Sequence, residues 1–545
     1  MRQNLHNYTQ QASVCSNGSA AVYFFIRCGA ILLGAFLFAL SFPNFFNKDG
    51  FSFFAFFFFV PTLFVIKQTP LSHLPFYGFL FGLISYLLFS YWLFNFHKLA
   101  LLLVILGEAL YHALLFFFIG TIFFVLKKIG TNKRWKSVYP IFYLVSVLFF
   151  IPLIYLIYEV IKNSGFLGYP YGTIAYSHYQ HFFMRELSGL TSIYFVGMFI
   201  VFINVLLFFF LDKWYELKRL GYLGAAILFV PLLILSSFFS LQYDKKFVQN
   251  DTAPDCFKIL AVQSNQGIVD KSKWYRGIPK IDSNYKKSTN YSEDLELLLK
   301  LTKKGLEQYH GEKKPNLIVW SETAFVPSVD WYSRYKGIHS ELVDRLLSFQ
   351  KEVSIPLLLG NSHGEVGLFS SSPKKYKRYD YNSALLIDEG QIVSIYKKNK
   401  LVPFSEAYPF KNAFPNFKAF LEDKLDCSFW SRGEKNQAPF FLHHKGQPLF
   451  FSVNICYEDC FASYVKQNSK RVSFIINLTN DSWAGSYASQ HQHLAFSQFR
   501  ANENRLWVVR VSQSGVSCLI NKQGCIVKEI AEFEKGVALF ELNIP

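Results

Sequence analysis

The chain has 545 residues, of which 51% are apolar and 17% charged, with 62 Phe and a formal net charge of +17. That balance excludes a disordered or fibrous chain and argues against an enzyme that is soluble throughout. With no nucleic-acid motif beside it, the basic excess fits cytoplasmic loops and lipid headgroups; the eight Cys, with no paired CxxC sets of zinc type, make no disulfide scaffold.

From about residue 22 to 241 the sequence is a series of apolar runs. From about Asp244 no run reaches the roughly 18 residues a crossing needs. The expected organisation is a transmembrane domain over 1–243 and a globular domain over 244–545. Seven spans are predicted, roughly 22–42, 51–66, 74–95, 99–126, 138–158, 190–211 and 220–241. The second is short, which little tilt or a thinned bilayer accommodates. The first carries Arg27 near its start and no small-residue cleavage site after it, so it reads as an uncleaved anchor.

Basic residues set the orientation. Lys127, Lys128, Lys133, Arg134 and Lys136 fall between spans four and five, and Lys213, Lys218 and Arg219 between six and seven. The long loop between five and six holds only Lys162 and Arg185. By the positive-inside rule the N-terminus is cytoplasmic, and seven crossings deliver the C-terminal domain to the periplasm of a Gram-negative cell. In span four, Glu108 and His112 lie four residues apart on one helical face. Ionisable groups inside a membrane are functional candidates; a mutually satisfied packing pair is the plainer alternative.

The second half alternates strand-like and helical runs. Strands are predicted at 258–263, 316–320, 354–359, 383–387, 449–455, 473–478, 506–513 and 516–521, with helices over 292–308 and 491–504. The polar, Lys-rich stretch 265–291 reads as loop. Strands apolar on both faces, alternating with helices, predict a layered α/β domain.

Three reactive residues sit where such strands end. Cys456 follows the apolar run 450–455 and precedes Tyr457, Glu458 and Asp459. Where a strand meets a helix start, backbone N–H groups lower a thiol pKa and make it nucleophilic, although a lone Cys is more often a small buried hydrophobe. Glu322 ends the run 316–320, placed as a general base at a strand end or, more plainly, as a helix cap. Lys398 lies in a run of cations before the apolar turn 401–405 and Glu406; a fixed ammonium stabilises an oxyanion, while most such runs are solvated. Cys460 is four residues beyond Cys456, a weak basis for a metal or disulfide pair.

Together, in the order Glu322, Lys398, Cys456, these residues resemble the Glu-Lys-Cys triad of the carbon–nitrogen hydrolase (nitrilase) superfamily, an α-β-β-α sandwich. Trp320-Ser-Glu322 is similar to that family's strand-Trp-x-Glu. Lys398-x-x-Leu401-Val-Pro-Phe-Ser-Glu406, Ile455-Cys-Tyr-Glu458, Thr479-Asn-Asp-Ser-Trp483, His491-Gln-His493, Arg500-Ala501 and Val262-Gln263 followed by Lys273-Trp274 resemble one branch, the apolipoprotein N-acyltransferases. Seven spans before the hydrolase domain also match. The resemblance implies transfer of a fatty acyl chain from a membrane phospholipid to the N-terminal amine of a diacylated apolipoprotein. It implies a thioester on Cys456, Glu322 as base, Lys398 and N–H groups near Tyr457 as oxyanion donors, and Glu406 orienting Lys398. Tyr457, Glu458, Trp274 and Trp483 would shape the pocket, with no cofactor and no metal. Glu159, at the outer end of span five, is expected to face the loop 165–172, which resembles the branch's loop beneath its active site and reads as a lipid-entry element.

Three features depart from the branch. Lys400 and Ser405 replace its usual His and Gly, and the span that usually follows the domain is absent, the expected result being an outside C-terminus. Two other readings share these motifs. A membrane-tethered amidase or nitrilase would use the same triad with water as second nucleophile; a non-catalytic scaffold would not need the triad intact. His491 and His493 are expected to be hydrogen-bonding structural residues, since no further ligands at metal spacing appear.

Overall fold

The computed structural model describes residues 2–96, 98–132, 137–212, 256–266, 274–275, 278–279, 291–369, 372–407 and 430–544. Among the described residues, five helices in the first half are long and apolar enough to cross a membrane: Ala21–Ser41, Leu71–Phe89, Lys98–Gly130, Tyr139–Lys162 and Ile193–Asp212. The expected second span is a 3-10 turn, Ser52–Phe56, followed by the helix Val60–Gln68. Pro61 starts that helix, where its missing N–H costs nothing. Nine helical residues rise only about 14 Å. The expected span 220–241, the domain boundary at 243 and most of the stretch 265–291 lie outside the described residues. Gly78 and Gly82 bring Leu71–Phe89 against Lys98–Gly130, because a Cβ at either would meet backbone of His112 or Ala109 within 2.7 Å.

The C-terminal half contains fourteen described strands. They are β1 (Phe257–Gln263), β2 (Trp274–Tyr275), β3 (Ile278–Pro279), β4 (Leu317–Trp320), β5 (Leu357–Phe369), β6 (Ser372–Asp388), β7 (Gln391–Lys397), β8 (Phe440–His444), β9 (Gln447–Ile455), β10 (Phe474–Thr479), β11 (Trp507–Ser512), β12 (Ser517–Ile520), β13 (Ile526–Ile530) and β14 (Gly536–Leu542). One six-stranded sheet has the order β14-β1-β4-β5-β6-β7, the other β13-β12-β11-β10-β9-β8. The central pairs β1–β4, β4–β5, β9–β10 and β10–β11 are parallel. Their inner faces share one core that includes Phe257, Val319, Leu358, Phe451, Ile476 and Val509. Helices Tyr291–Gln308 and Ser340–Val353 cover the first sheet, and Ala462–Asn468 and Tyr487–Asn504 the second. The result is the expected α-β-β-α sandwich. Its parallel strands end along a common edge, where such sheets place ligands.

The helix Tyr487–Asn504 is buried on nearly every side because it lies between the second sheet and the membrane helices. Its polar residues therefore bond across that boundary. Gln492 accepts from Trp92 Nε1 at 3.0 Å and donates to the carbonyl of Pro43 at 2.8 Å; Arg500 donates to the Tyr176 hydroxyl at 2.8 Å.

Candidate active site

Each of the three reactive residues sits just past a strand. Glu322 follows β4, Lys398 follows β7 and Cys456 follows β9. The backbone is tight at two of these places. Gly360 on β5 lies so close to the loop after β4 that a Cβ there would be 2.4 Å from Glu322 Cα and 2.8 Å from the Ser321 carbonyl. Cys456 has φ +48°, a left-handed conformation that costs a residue with a Cβ about 1–2 kcal/mol. Such strain persists where the surroundings enforce it, commonly at functional sites.

The charged groups form one buried network. Glu322 Oε1 accepts from Lys398 Nζ at 3.2 Å and from Asn382 Nδ2 at 2.8 Å, while Oε2 accepts the Asn480 N–H at 2.9 Å. Lys398 Nζ also donates to Glu406 Oε1 at 2.8 Å, and Glu406 Oε2 accepts the Val402 N–H at 2.9 Å. Burial pushes the Lys398 ammonium down, but Glu322 and Glu406 outweigh it and hold Lys398 well above the ordinary lysine range. Burial first, then the Glu322 carboxylate, push the Cys456 thiol well up, with Lys398 pulling the other way.

All three line a cavity of about 710 Å³ together with Asn382, Glu406, Tyr457, Asn480 and Trp483. The opposite wall comes from the membrane domain: Trp92, Leu103, Glu108, Leu110, Tyr111 and Leu114, with Leu167, Gly168, Tyr169 and Tyr171 of the loop between the fifth and sixth expected spans. That loop is tied to the site, since Tyr457 donates its hydroxyl to the Gly168 carbonyl at 2.6 Å. Lys162 Nζ donates to the Tyr171 carbonyl at 3.0 Å. Glu159 accepts the Ile174 N–H at 2.8 Å, at the start of the 3-10 turn Ile174–His178 that follows the loop 165–172. Glu108 and His112 are joined through Tyr158, whose hydroxyl lies 3.3 Å from the carboxylate and 3.2 Å from Nε2.

Glu458 stands behind the cavity and braces the site. Its Oε1 accepts the N–H groups of Asn399 and Lys400 at 2.7 and 3.1 Å; its Oε2 accepts the Ile455 N–H at 2.8 Å and the Tyr396 hydroxyl at 2.7 Å. One carboxylate thus ties the strand end that carries Lys398 to the turn that carries Cys456. Trp483 lies against Trp92, with ring centroids 5.6 Å apart and the planes tilted by 56°. Trp274 is placed by its backbone alone, paired with Pro279 in the ribbon β2–β3. Lys400, at the departure from the branch pattern, holds its ammonium over the rings of Phe461 and Tyr464, while Ser405 lines the cavity.

A second cluster adjoins the nucleophile. One donor atom each from Cys456, Asp481 and His493 fall within 4.8 Å of one another. A metal ion fits it poorly, because Asp481 is already engaged on both oxygens. Oδ1 meets His493 Nδ1 at 2.6 Å and Oδ2 meets Arg510 at 2.6 Å, and that guanidinium would repel a cation. Burial opposes the Asp481 charge, but His493 and Arg510 outweigh it and lower the carboxyl to about 2. His491 bonds elsewhere, to Glu532 at 3.4 Å and Tyr179 at 3.3 Å. Sequence reasoning gave no role to Asn382, Asp481 or Arg510. A single polar residue inside an apolar strand, as Arg510 is in β11, has no periodic signature.

Comparison with known proteins bears on the fold and the family. Residues 34–206 match a family model described as the apolipoprotein N-acyltransferase N-terminal domain, and residues 277–545 match the carbon-nitrogen hydrolase model. The chain is 30% identical to apolipoprotein N-acyltransferase 1 of Treponema denticola, over 96% of this chain and 91% of that one. It is 32% identical to apolipoprotein N-acyltransferase 1 of Treponema pallidum, over 94% and 89%. To the apolipoprotein N-acyltransferase of Borreliella burgdorferi it is 25% identical, over 93% and 87%.

Proposed function

The chain belongs to the apolipoprotein N-acyltransferase family, and we propose that it moves a fatty acyl chain from a membrane phospholipid to the N-terminal amine of an apolipoprotein's diacylglyceryl-cysteine, through a thioester on Cys456. One observation carries the reading: Glu322, Lys398 and Cys456 share a cavity whose far wall is a membrane helix. Leu103, Leu110 and Leu114 on that wall are 41%, 61% and 56% exposed at the apolar surface of the bundle, so an acyl chain reaches the thiol without leaving apolar surroundings. Both substrates hold chains whose removal from lipid costs about 0.8 kcal/mol per CH₂. A lateral apolar wall answers that cost, and a small C–N substrate has no use for it.

The chemistry follows from the hydrogen bonds. A carboxylate offers about four lone-pair sites. Lys398, Asn382 and Asn480 fill three on Glu322, leaving one for the Cys456 proton. The sulfur attacks the ester carbonyl, a C–S bond forms, and the oxyanion is held by Lys398 Nζ and the Tyr457 N–H. As the ester C–O bond breaks, Glu322 returns the proton to the leaving oxygen, which departs as lysophospholipid. The lipoprotein amine then attacks the thioester. A C–N bond forms, the C–S bond breaks, and the amine proton passes through Glu322 back to sulfur. Tyr457 and Trp483 shape the cavity, Trp274 belongs to the same wall by resemblance, and Glu406 and Glu458 orient the lysine and the cysteine turn. The catalytic domain and C-terminus face the periplasm.

The test is direct. Purified protein incubated with phospholipid labelled in its acyl chain is expected to carry the label as a hydroxylamine-sensitive thioester on the Cys456 peptide. Cys456→Ala is expected to lose it while remaining folded and inserted. Label on Cys460, or label that survives in Cys456→Ala, overturns the assignment.

A further inference from the structure

His493 is buried and does not line the cavity, yet it is aimed at the nucleophile's backbone. Its Nε2 lies 3.4 Å from the carbonyl oxygen of Cys456. Its Nδ1 lies 2.6 Å from Asp481 Oδ1, and Asp481 Oδ2 lies 2.6 Å from Arg510. Arg510 is itself fixed by Asn477 Oδ1 at 3.0 Å and Ser497 Oγ at 3.2 Å. The carboxylate and the carbonyl are both acceptors; the imidazolium form donates to both, whereas a neutral ring has one N–H and donates to one of them.

The carbonyl concerned belongs to the peptide that joins Cys456 to Tyr457. A trans peptide is planar, and its C=O and N–H point in opposite directions. Whatever fixes the Cys456 carbonyl therefore also aims the Tyr457 N–H. That N–H is the backbone donor proposed above for the oxyanion. The peptide needs holding, since Cys456 sits at φ +48° and enters a 3-10 turn, Cys456–Cys460, whose own hydrogen bonds have poor geometry. A carbonyl has two lone pairs; the turn takes one and His493 is placed at the other.

We propose that His493, held by Asp481 and Arg510, is a positioning residue that locks the Cys456–Tyr457 peptide so that the Tyr457 N–H points at the developing oxyanion. The inference rests on Cys456 being the acylated nucleophile. It assigns to His493 an effect on oxyanion-forming steps and none on the reactivity of the thiol itself.

Two reactions at the same sulfur separate these effects. Acylation by labelled phospholipid passes through a tetrahedral oxyanion. Alkylation by iodoacetamide forms an S–C bond at a saturated carbon as iodide leaves, with no oxyanion. His493→Ala is expected to slow Cys456 acylation by about 10²–10³, the usual effect of losing one oxyanion donor, and to leave Cys456 alkylation at the wild-type rate. His493→Gln retains a donor toward the carbonyl and is expected to recover part of the loss. If thermal unfolding shows that His493→Ala does not fold, Asp481→Asn, which keeps the imidazole but weakens its anchor, is expected to show the same selective loss. Acylation and alkylation falling together, or acylation unchanged, overturns the proposal. Should the wild-type protein form no thioester at Cys456, the catalytic reading itself falls. A wild-type thioester with undiminished acylation in a folded variant removes only the role of His493.

Discussion

At Lys398 two carboxylates share one ammonium, and the thiol beside them is held protonated by burial and by Glu322. This division fixes what each residue does as the reaction proceeds. In the proposed mechanism Glu322 takes the thiol proton, whereas Lys398 donates to both carboxylates and keeps its third N–H for the oxyanion. Because the Cys456 thiol lies well above its ordinary value, its thiolate fraction rises about tenfold for each pH unit across the working range. Glu322→Gln removes the base and is expected to slow thioester formation most near neutral pH, with the rate climbing as pH rises and solution supplies thiolate. Lys398→Ala removes an oxyanion donor, is expected to slow acylation and transfer alike by about 10²–10³, and has no matching rescue, since hydroxide replaces no donor. Pre-steady-state thioester formation followed against pH in both variants decides. Equal rescue of the two, or of neither, means these roles are wrong. Glu322 and Cys456 stand out in the sequence because each follows an apolar run, and Lys398 because its cations precede an apolar turn and Glu406. Asn382 and Asn480, which hold Glu322 in place, do not, since their meaning comes from strands brought side by side.

Among the elements, β5 controls the position of Glu322, the proposed base. It pairs in parallel with β4, and Gly360 faces the loop that carries Glu322. The atoms a Cβ would strike are the backbone of Ser321 and Glu322, which cannot rotate aside as a side chain end would. Gly360→Ala is therefore expected to destabilise the domain by about 1–3 kcal/mol through overpacking. It is also expected to lower thioester formation by about 10², because misplacing a reacting group by about 1 Å has that effect. Thermal unfolding and single-turnover acylation measure the two, and a destabilised variant with undiminished acylation would show that Glu322 tolerates displacement. Strands flanked by apolar residues on both sides, such as β9 and β10, were readable within about two residues. Others were not. The structure extends β5 and β6 into a long hairpin well beyond 354–359 and 383–387, because each arm satisfies the other's backbone groups where the sequence is polar. The helix Tyr487–Asn504 begins earlier than residue 491 and shows no amphipathic stripe, since it is buried between two partners and bonds to both. The short second span was read as one helix; Pro61 divides it into a 3-10 turn and a nine-residue helix.

The two ends of the helix bundle differ in charge and in what they touch. At one end Pro43, Phe89, Trp92 and Asn95 contact the catalytic domain, and Arg185 donates to the Gln523 carbonyl at 3.1 Å. At the other end Lys67 pairs with Asp212 at 2.5 Å, and Lys127 and Lys128 close the helix Lys98–Gly130. Cations collect on the cytoplasmic side of a bilayer, so the end that carries the catalytic domain is expected to face outward. In that orientation the cavity, walled by both parts, would open near the outer headgroups, where the two proposed lipid substrates would present their reacting groups. The orientation is measurable with a membrane-impermeant maleimide on cells whose outer membrane has been made permeable. Lys470→Cys, on the exposed surface of the catalytic domain, is expected to react in intact cells, and Thr131→Cys, exposed just past the basic end, only after the inner membrane is broken. The unmodified chain gives the background from its own cysteines. The reverse pattern would place the thiol of Cys456 on the cytoplasmic side, and the positive-inside reading of the Lys127 and Lys128 end would fail. Reaction at both positions in intact cells would mean that the membrane is leaky to the reagent, which a cytoplasmic marker protein labelled in the same cells detects.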